Sequence, residues 1–184
     1  MKIVETSIRG AYYWEPVKRE DPRGYFYRGF CKQELQNAGI SLGEIVQINH
    51  SFSAKTGTFR GFHYQVPPFA EEKIVACLEG EVLDFVLDLR KGSETFLKHD
   101  SVVLSEKNSR SVLIPKGCAH GFITLQENCK LLYLHTAFYK PEYEGGVSIS
   151  DPRIHVKLPL PIKEISVRDQ HHALLNKNFE GIEV

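Results

Sequence analysis

The chain has 184 residues, and its 23 Lys plus Arg balance its 23 Asp plus Glu, so the formal net charge is zero. It is 42% hydrophobic and 25% charged, with 11 Phe and 8 Tyr. That excludes a disordered chain and leaves no broad positive surface for nucleic acid or anionic lipid. Short apolar runs rich in Val, Ile, Phe and Tyr dominate, broken by Gly, Pro, Asn and Ser. The first predicted element is a short helix over Lys32–Asn37, with Gly39 placed to end it. Strands are predicted at Glu44–Asn49, Thr58–Tyr64, Lys73–Leu78, Val82–Leu89, Ser101–Leu104, Ser111–Ile114, Gly121–Leu125 and Lys130–Phe138. Within Val82–Leu89, alternation puts Asp84, Val86 and Asp88 on one face. A second helix opens after Ser166, where Ser166-Val167-Arg168-Asp169 reads as a capping box.

Eight strands with almost no helix predict an all-β sandwich or barrel. The length predicts one domain over residues 1–184. No apolar run nears the ~20 residues of a bilayer span. The start, Met1–Gly10, lacks the apolar core of a signal peptide, so a cytoplasmic protein is expected. Cys31, Cys77, Cys118 and Cys129 form no metal-ligand spacing and sit among apolar neighbours, as buried reduced thiols do.

Two segments concentrate polar chemistry: Gln47-Ile48-Asn49-His50-Ser51 and Arg60-Gly61-Phe62-His63-Tyr64-Gln65. Alternation puts Gln47, Asn49 and Ser51 on one face. It also sets Arg60, Phe62 and Tyr64 against His63 and Gln65, unless a bulge at Gly61 resets the pattern. A polar inner face needs a ligand to satisfy it; an exposed sheet face accounts for the residues equally well. The spacings Gly57-x5-His63-x-Gln65 and Pro115-x-Gly117-x2-His120 resemble the paired motifs of cupin barrels. Gln65 stands where a second ligand His is expected, and Gln is a weak transition-metal ligand, so a metal-free cupin is the better reading.

Over nearly the whole chain the sequence resembles the dTDP-4-dehydrorhamnose 3,5-epimerases. The segments that carry this are Asp21–Phe26, Gln47–Ser51, Arg60–Pro68, Gly80–Asp84, Asp88–Ser93, Ile114–Phe122 and Asp151-Pro152, in order and at the family's spacing. The resemblance implies a cupin-type jelly-roll β-barrel, a homodimer, and no metal or other cofactor. It implies a nucleotide-diphosphate sugar as substrate and inversion at C3 and C5 of a 4-keto-6-deoxy sugar in deoxysugar biosynthesis. Both hydrogens lie alpha to the ketone, so inversion needs a base on one face, an acid on the other, and a group that stabilises the enolate. The resemblance gives His63 as base, Asp169 as its partner, Tyr133 as acid and Lys73 beside the ketone oxygen. Arg23, Gln47, Asn49, Arg60, His120 and Glu144 match substrate or diphosphate contacts, Tyr139 an aromatic stacked on the base, and Arg28 and Arg168 complete the substrate-binding set. Structural alternatives stand beside these roles: a turn for Arg23, a helix cap for Asp169, core for Tyr133 and a strand edge for Lys73.

The chain also departs from the family. Arg28 takes the place of a usual Glu, Ile48 of an acid, Glu72 of a Gly, Ala76 of an Arg and Leu134 of a frequent Lys; the usual Trp before Asp151-Pro152 is missing. Alternatives are a single-centre C3 or C5 epimerase, a ketoisomerase, or a sugar-nucleotide-binding cupin without catalysis. The His63 and Tyr133 pair favours two-faced proton transfer, which a binder does not need.

Overall fold

A computed structural model describes all 184 residues. In chain order the elements are β1 (Lys2–Glu5), β2 (Tyr12–Glu15), β3 (Arg19–Asp21), β4 (Gly24–Phe26), α1 (Lys32–Asn37), β5 (Gln47–Ser53), β6 (Thr58–Gln65) and β7 (Lys73–Glu79). They continue as β8 (Glu81–Asp88), β9 (His99–Ser105), β10 (Ser111–Ile114), β11 (Cys118–Thr124), β12 (Cys129–His135), β13 (Glu144–Gly146), β14 (Glu164–Ile165) and α2 (Val167–Gln170). One sheet runs β1-β2-β10-β7-β12-β5 and the facing one β13-β6-β11-β8-β9, with β14 added to β6. The result is a jelly-roll barrel of the cupin type. No helix is long and apolar enough to cross a membrane.

Three apolar clusters hold the layers. Between the sheets, Val75, Val112 and Leu131 meet Val82, Val86 and Phe122. Outside the second sheet, Phe59, Phe62, Phe85 and Leu87 are covered by Val147, Ile154 and Ile182 from the C-terminal stretch. Outside the first, Trp14, Ile74 and Leu113 lie under Leu35 of α1, Ile40 and Leu42. Each fully buried large apolar side chain contributes roughly 1.5–3 kcal/mol. Six residues are too few for a stable helix alone; Leu35 anchors α1, and Gly39 ends it at φ +80°.

All eight expected strands are present, Ser111–Ile114 with the expected ends and the other seven with shifted ones. The strand expected from Glu44 starts at Gln47 and continues through Ser53. The last ends at His135, because Thr136 turns to Glu72: the Glu72 N–H donates to Thr136 Oγ1 at 2.8 Å and the Thr136 N–H to Glu72 O at 3.1 Å. Strands β1 to β4, β13 and β14 run two to four residues and show no period to read. Along β8 the expected alternation holds, with Val82 and Val86 inside and Phe85 and Leu87 outside.

On β6 simple alternation fails. Phe59 and Phe62, three apart, both pack into the outer cluster. The register with β11 shifts between His120 and Phe122, opposite Gly61. Gly61 has φ +132°, and a Cβ there would lie 2.5 Å from Gly121 Cα and 2.8 Å from His120 O. This irregularity puts Arg60 on the same face of β6 as His63, where its exposed guanidinium reaches Ser53 Oγ and Phe52 O of β5. Gly61→Ala is expected to cost about 2–4 kcal/mol, lowering Tm by roughly 5–15 °C. Gly24, at φ +124° with nothing within 4 Å of its Cβ position, serves as control: Gly24→Ala should cost only about 1 kcal/mol of backbone strain. Equal costs by thermal unfolding would contradict the close approach at Gly61.

Candidate active site

A cavity of about 470 Å³ opens at one end of the barrel. β5 contributes Gln47 and Asn49, β6 His63 and Gln65, β7 Lys73, and β12 His135; Glu71, Tyr139, Glu144 and Arg168 close its rim. The two sheets thus supply opposite walls.

His63 Nε2 donates to Asp169 Oδ1 at 2.9 Å. Asp169 is 3% exposed, and a carboxylate this deep must be paired or it costs several kcal/mol. Burial pushes its pKa up, but the His63 hydrogen bond and charge, the Gly61 N–H at 3.2 Å and Ser166 outweigh burial and hold it well below the usual carboxylate range. Its backbone N–H donates to Ser166 Oγ at 3.0 Å. Asp169 is therefore both cap partner and His63 partner, the two readings its sequence allowed. Arg168 Nη2 approaches His63 Nε2 at 3.1 Å while Nη1 pairs with Glu144 at 3.0 and 3.2 Å. The Tyr139 hydroxyl donates to Glu144 Oε2 at 2.9 Å. The ring packed on His63 is not Tyr139, as expected from sequence, but His172, edge-on at 5.4 Å.

Across the cavity, Glu71 binds the Lys73 ammonium at 3.1 Å and His135 Nδ1 at 2.7 Å. Burial raises Glu71, but His135 and Lys73 outweigh it, and its pKa is net lowered. Asn49 reaches His135 Nε2 at 3.3 Å, and Gln47 accepts from the Tyr139 N–H at 3.1 Å. Gln65 accepts from the Lys140 N–H at 2.7 Å and donates to Phe69 O at 3.0 Å. It braces two loops from the position where a metal-binding cupin has its second His.

Tyr133 stacks on His135, and its hydroxyl meets Ser51 Oγ at 2.9 Å. Burial first, over the opposing Ser51 hydrogen bond, pushes the phenol far above its ordinary pKa, so it keeps its proton at neutral pH. His120 does not line the cavity; it is buried and bonded through Nε2 to Asp84 Oδ2 at 2.8 Å. Burial raises Asp84 and lowers His120, so the interior favours the neutral pair.

Arg23 and Arg28 are not brought to this cavity within one chain. Arg23 is 90% exposed at the tip of the β3–β4 hairpin, where Asp21 accepts from its N–H and guanidinium. Arg28 pairs with Glu34 at 2.8 Å and lines a separate cavity of about 310 Å³. Sequence reasoning missed Glu71, His135 and His172. His135 was within reach, two residues from Tyr133 on one strand face; so was His172, three from Asp169. Glu71 lies in a loop with no pattern to flag it.

The chain matches the sequence model of the dTDP-4-dehydrorhamnose 3,5-epimerase family over residues 5–177. It is 38% identical over 169 residues to dTDP-4-dehydrorhamnose 3,5-epimerase of Shigella flexneri, covering 92% of this chain and 93% of the relative. The crystal structure of the Bacillus anthracis enzyme of that name, with TDP and PPi bound, superposes with a TM-score of 0.91 at 35% identity, over 95% of this chain and 99% of that one. A 3'-monoepimerase from Streptomyces bikiniensis, solved with dTDP-quinovose, gives 0.84 at 30% identity, over 95% and 87% of the two chains.

Asp169 and Glu71 both have depressed pKa values in the fold. Their stabilisation is present above the ordinary carboxylate pKa of about 4 and is lost as pH falls through the folded value. Thermal unfolding should show Tm starting to drop below about pH 5 and continuing to fall through about pH 2, with a shallower slope in Asp169→Asn. An unchanged slope would remove Asp169 from this account.

Proposed function

The chain belongs to the dTDP-4-dehydrorhamnose 3,5-epimerase family, and we propose that His63 and Tyr133 exchange the protons by which it inverts C3 and C5. It is an isomerase of a nucleotide-linked 4-keto-6-deoxy sugar, and the dTDP-linked sugar of its relatives is the substrate in this reading. The observation that carries the assignment is placement: His63 stands on β6 and Tyr133 on β12, in opposite sheets of the barrel. A sugar ring between them meets a base on one face and an acid on the other.

His63 removes the hydrogen alpha to the ketone. Asp169 accepts from Nε2, so Nδ1 is the lone pair left to take the proton, and the carboxylate stabilises the imidazolium that results. Lys73 sits beside the ketone oxygen and stabilises the enolate. Tyr133 then returns a proton from the other side, and burial keeps it protonated for that step. Gln47, Asn49, Glu144 and Arg168 hold the substrate from the cavity wall, whereas Arg60 and His120 do not line it and make no substrate contact in this reading. Once His63 has released its proton to solvent and Tyr133 has regained one, repetition at the second alpha carbon completes the double inversion.

In a coupled assay with a 4-keto reductase, His63→Asn and Tyr133→Phe should each lose about 10²–10⁴-fold in kcat. Tyr133→Phe should still exchange the alpha hydrogens with solvent. His63→Asn with kcat within about threefold of the parent would overturn the assignment.

The same reading makes the protein a homodimer. Ile48 and Phe52 on the outer face of β5 are 59% and 52% exposed. Ile48 pairs in register with Leu134, and Leu132 with Ala76. Of the departures from the family on this face, Leu134 packs against the chain's own Leu35 cluster, while Ile48, with Phe52, stays open on the edge strand β5, a strip suited to a second copy. Arg23 and Arg28, remote from their own cavity, then act from the partner. Sedimentation should give about twice the 21.0 kDa of one chain, and Ile48→Asp should shift it toward the monomer. A parent sedimenting as a monomer at micromolar concentration would overturn the dimer.

A further inference from the structure

His172 is the one ring beside the dyad that the epimerase mechanism does not use. It follows Asp169 by three residues, at the end of α2, and its Nε2 lies 3.4 Å from Asp169 Oδ1. That nitrogen is buried and has no hydrogen-bond partner. Room for the ring comes from Gly146, whose Cα pairs with His63 in the β13–β6 register; a Cβ at Gly146 would fall 2.1 Å from His172 Cε1.

Three donor atoms therefore converge: His63 Nε2, Asp169 Oδ1 and His172 Nε2. The first two are 2.9 Å apart, the last two 3.4 Å, and all lie within 4.8 Å of one another. Tetrahedral zinc, with bonds of about 2.0–2.2 Å, wants its ligands about 3.4 Å apart. Two imidazoles and a carboxylate form a donor set suited to it. We propose that His63, Asp169 and His172 form an inhibitory binding site for a divalent transition metal, zinc above all.

The geometry also explains how binding would inhibit. Coordination at Nε2 moves the His63 proton to Nδ1, filling the lone pair that would act as base, and Asp169 becomes a metal ligand. The base loses the carboxylate that stabilises its imidazolium. This inhibition rests on reading His63 as the base; the binding itself does not. Arg168 opposes the ion, because its guanidinium sits 3.1 Å from the same Nε2. At 55% side-chain exposure it has space to swing outward, so occupancy is a contest between the arginine and the metal.

The test is zinc chloride titrated calorimetrically into the full-length protein after chelator treatment and desalting. One strong site per chain is expected. His172→Ala and His172→Gln should each weaken it at least about tenfold, and His63→Asn should do the same. Arg168→Ala should tighten it, by removing a positive charge beside the site. His171, whose ring is tied to Val167 O at 2.6 Å outside the cluster, is the control, and His171→Ala should leave the affinity unchanged. Absence of a strong site, or a site that survives His172→Gln or is lost in His171→Ala, would overturn the proposal. Zinc that binds as expected without slowing turnover would leave the site standing and instead overturn its inhibitory role, together with the reading of His63 as base.

Discussion

A charged carboxylate kept out of water is the constraint around which the site is arranged. Asp169 is almost wholly buried yet carries a depressed pKa, which only its partners allow. Each partner comes from a different part of the chain. His63 and the Gly61 N–H come from β6, and Ser166 caps the four-residue helix that carries Asp169. That helix is docked because the C-terminal stretch folds back over the outer face of the second sheet, burying Val147, Ile154 and Ile182 on Phe59, Phe62 and Phe85. The apolar cluster outside the barrel thus fixes an acid aimed at its mouth. A mutation far out in that cluster would reach the chemistry through the orientation of His63.

The barrel separates stability from reactivity along its length. Its interior is apolar around Val75, Val86, Phe122 and Leu131. Its open end holds His63, Lys73, Glu71, His135, Arg168 and Glu144 in paired arrangements. A chain of zero net charge can in this way carry a densely charged cavity, since the charges cancel locally. Between these zones sit Tyr133 and the Asp84–His120 pair, where burial favours the proton-bearing phenol and a neutral acid–base pair. A phenol that holds its proton in such surroundings is suited to give it up only to a strong base such as a carbanion.

Much of this was legible in the sequence. The strands of the barrel are long enough to show alternation, and Lys32–Asn37 and the Ser166 cap carried local helix signals that the structure reproduces. The inward row Gln47, Asn49, Ser51 followed from period two. What could not be read depends on long-range contacts. That Arg60 shares a face with His63 rests on an irregularity against β11, and sequence only marked Gly61 as a place where one could sit. The strands β1 to β4 are held by pairing rather than by pattern. Ion pairs such as Glu71 with Lys73 and His135 join a loop to two strands that only the fold brings together. The positions of Arg23 and Arg28 were the least legible, because a motif match gives a residue's role and not its place in the fold.

In the proposed mechanism one base and one acid, from opposite sheets, serve two carbons flanking a single ketone. The most direct measurement is incubation of the protein with dTDP-4-keto-6-deoxyglucose in deuterated buffer, following the C3 and C5 protons by NMR. Solvent deuterium is expected at both carbons, with the doubly inverted product trapped by a reductase. Exchange confined to one carbon would contradict double inversion and make the protein a single-centre epimerase. No exchange at either carbon would contradict the assignment of this sugar nucleotide as the substrate.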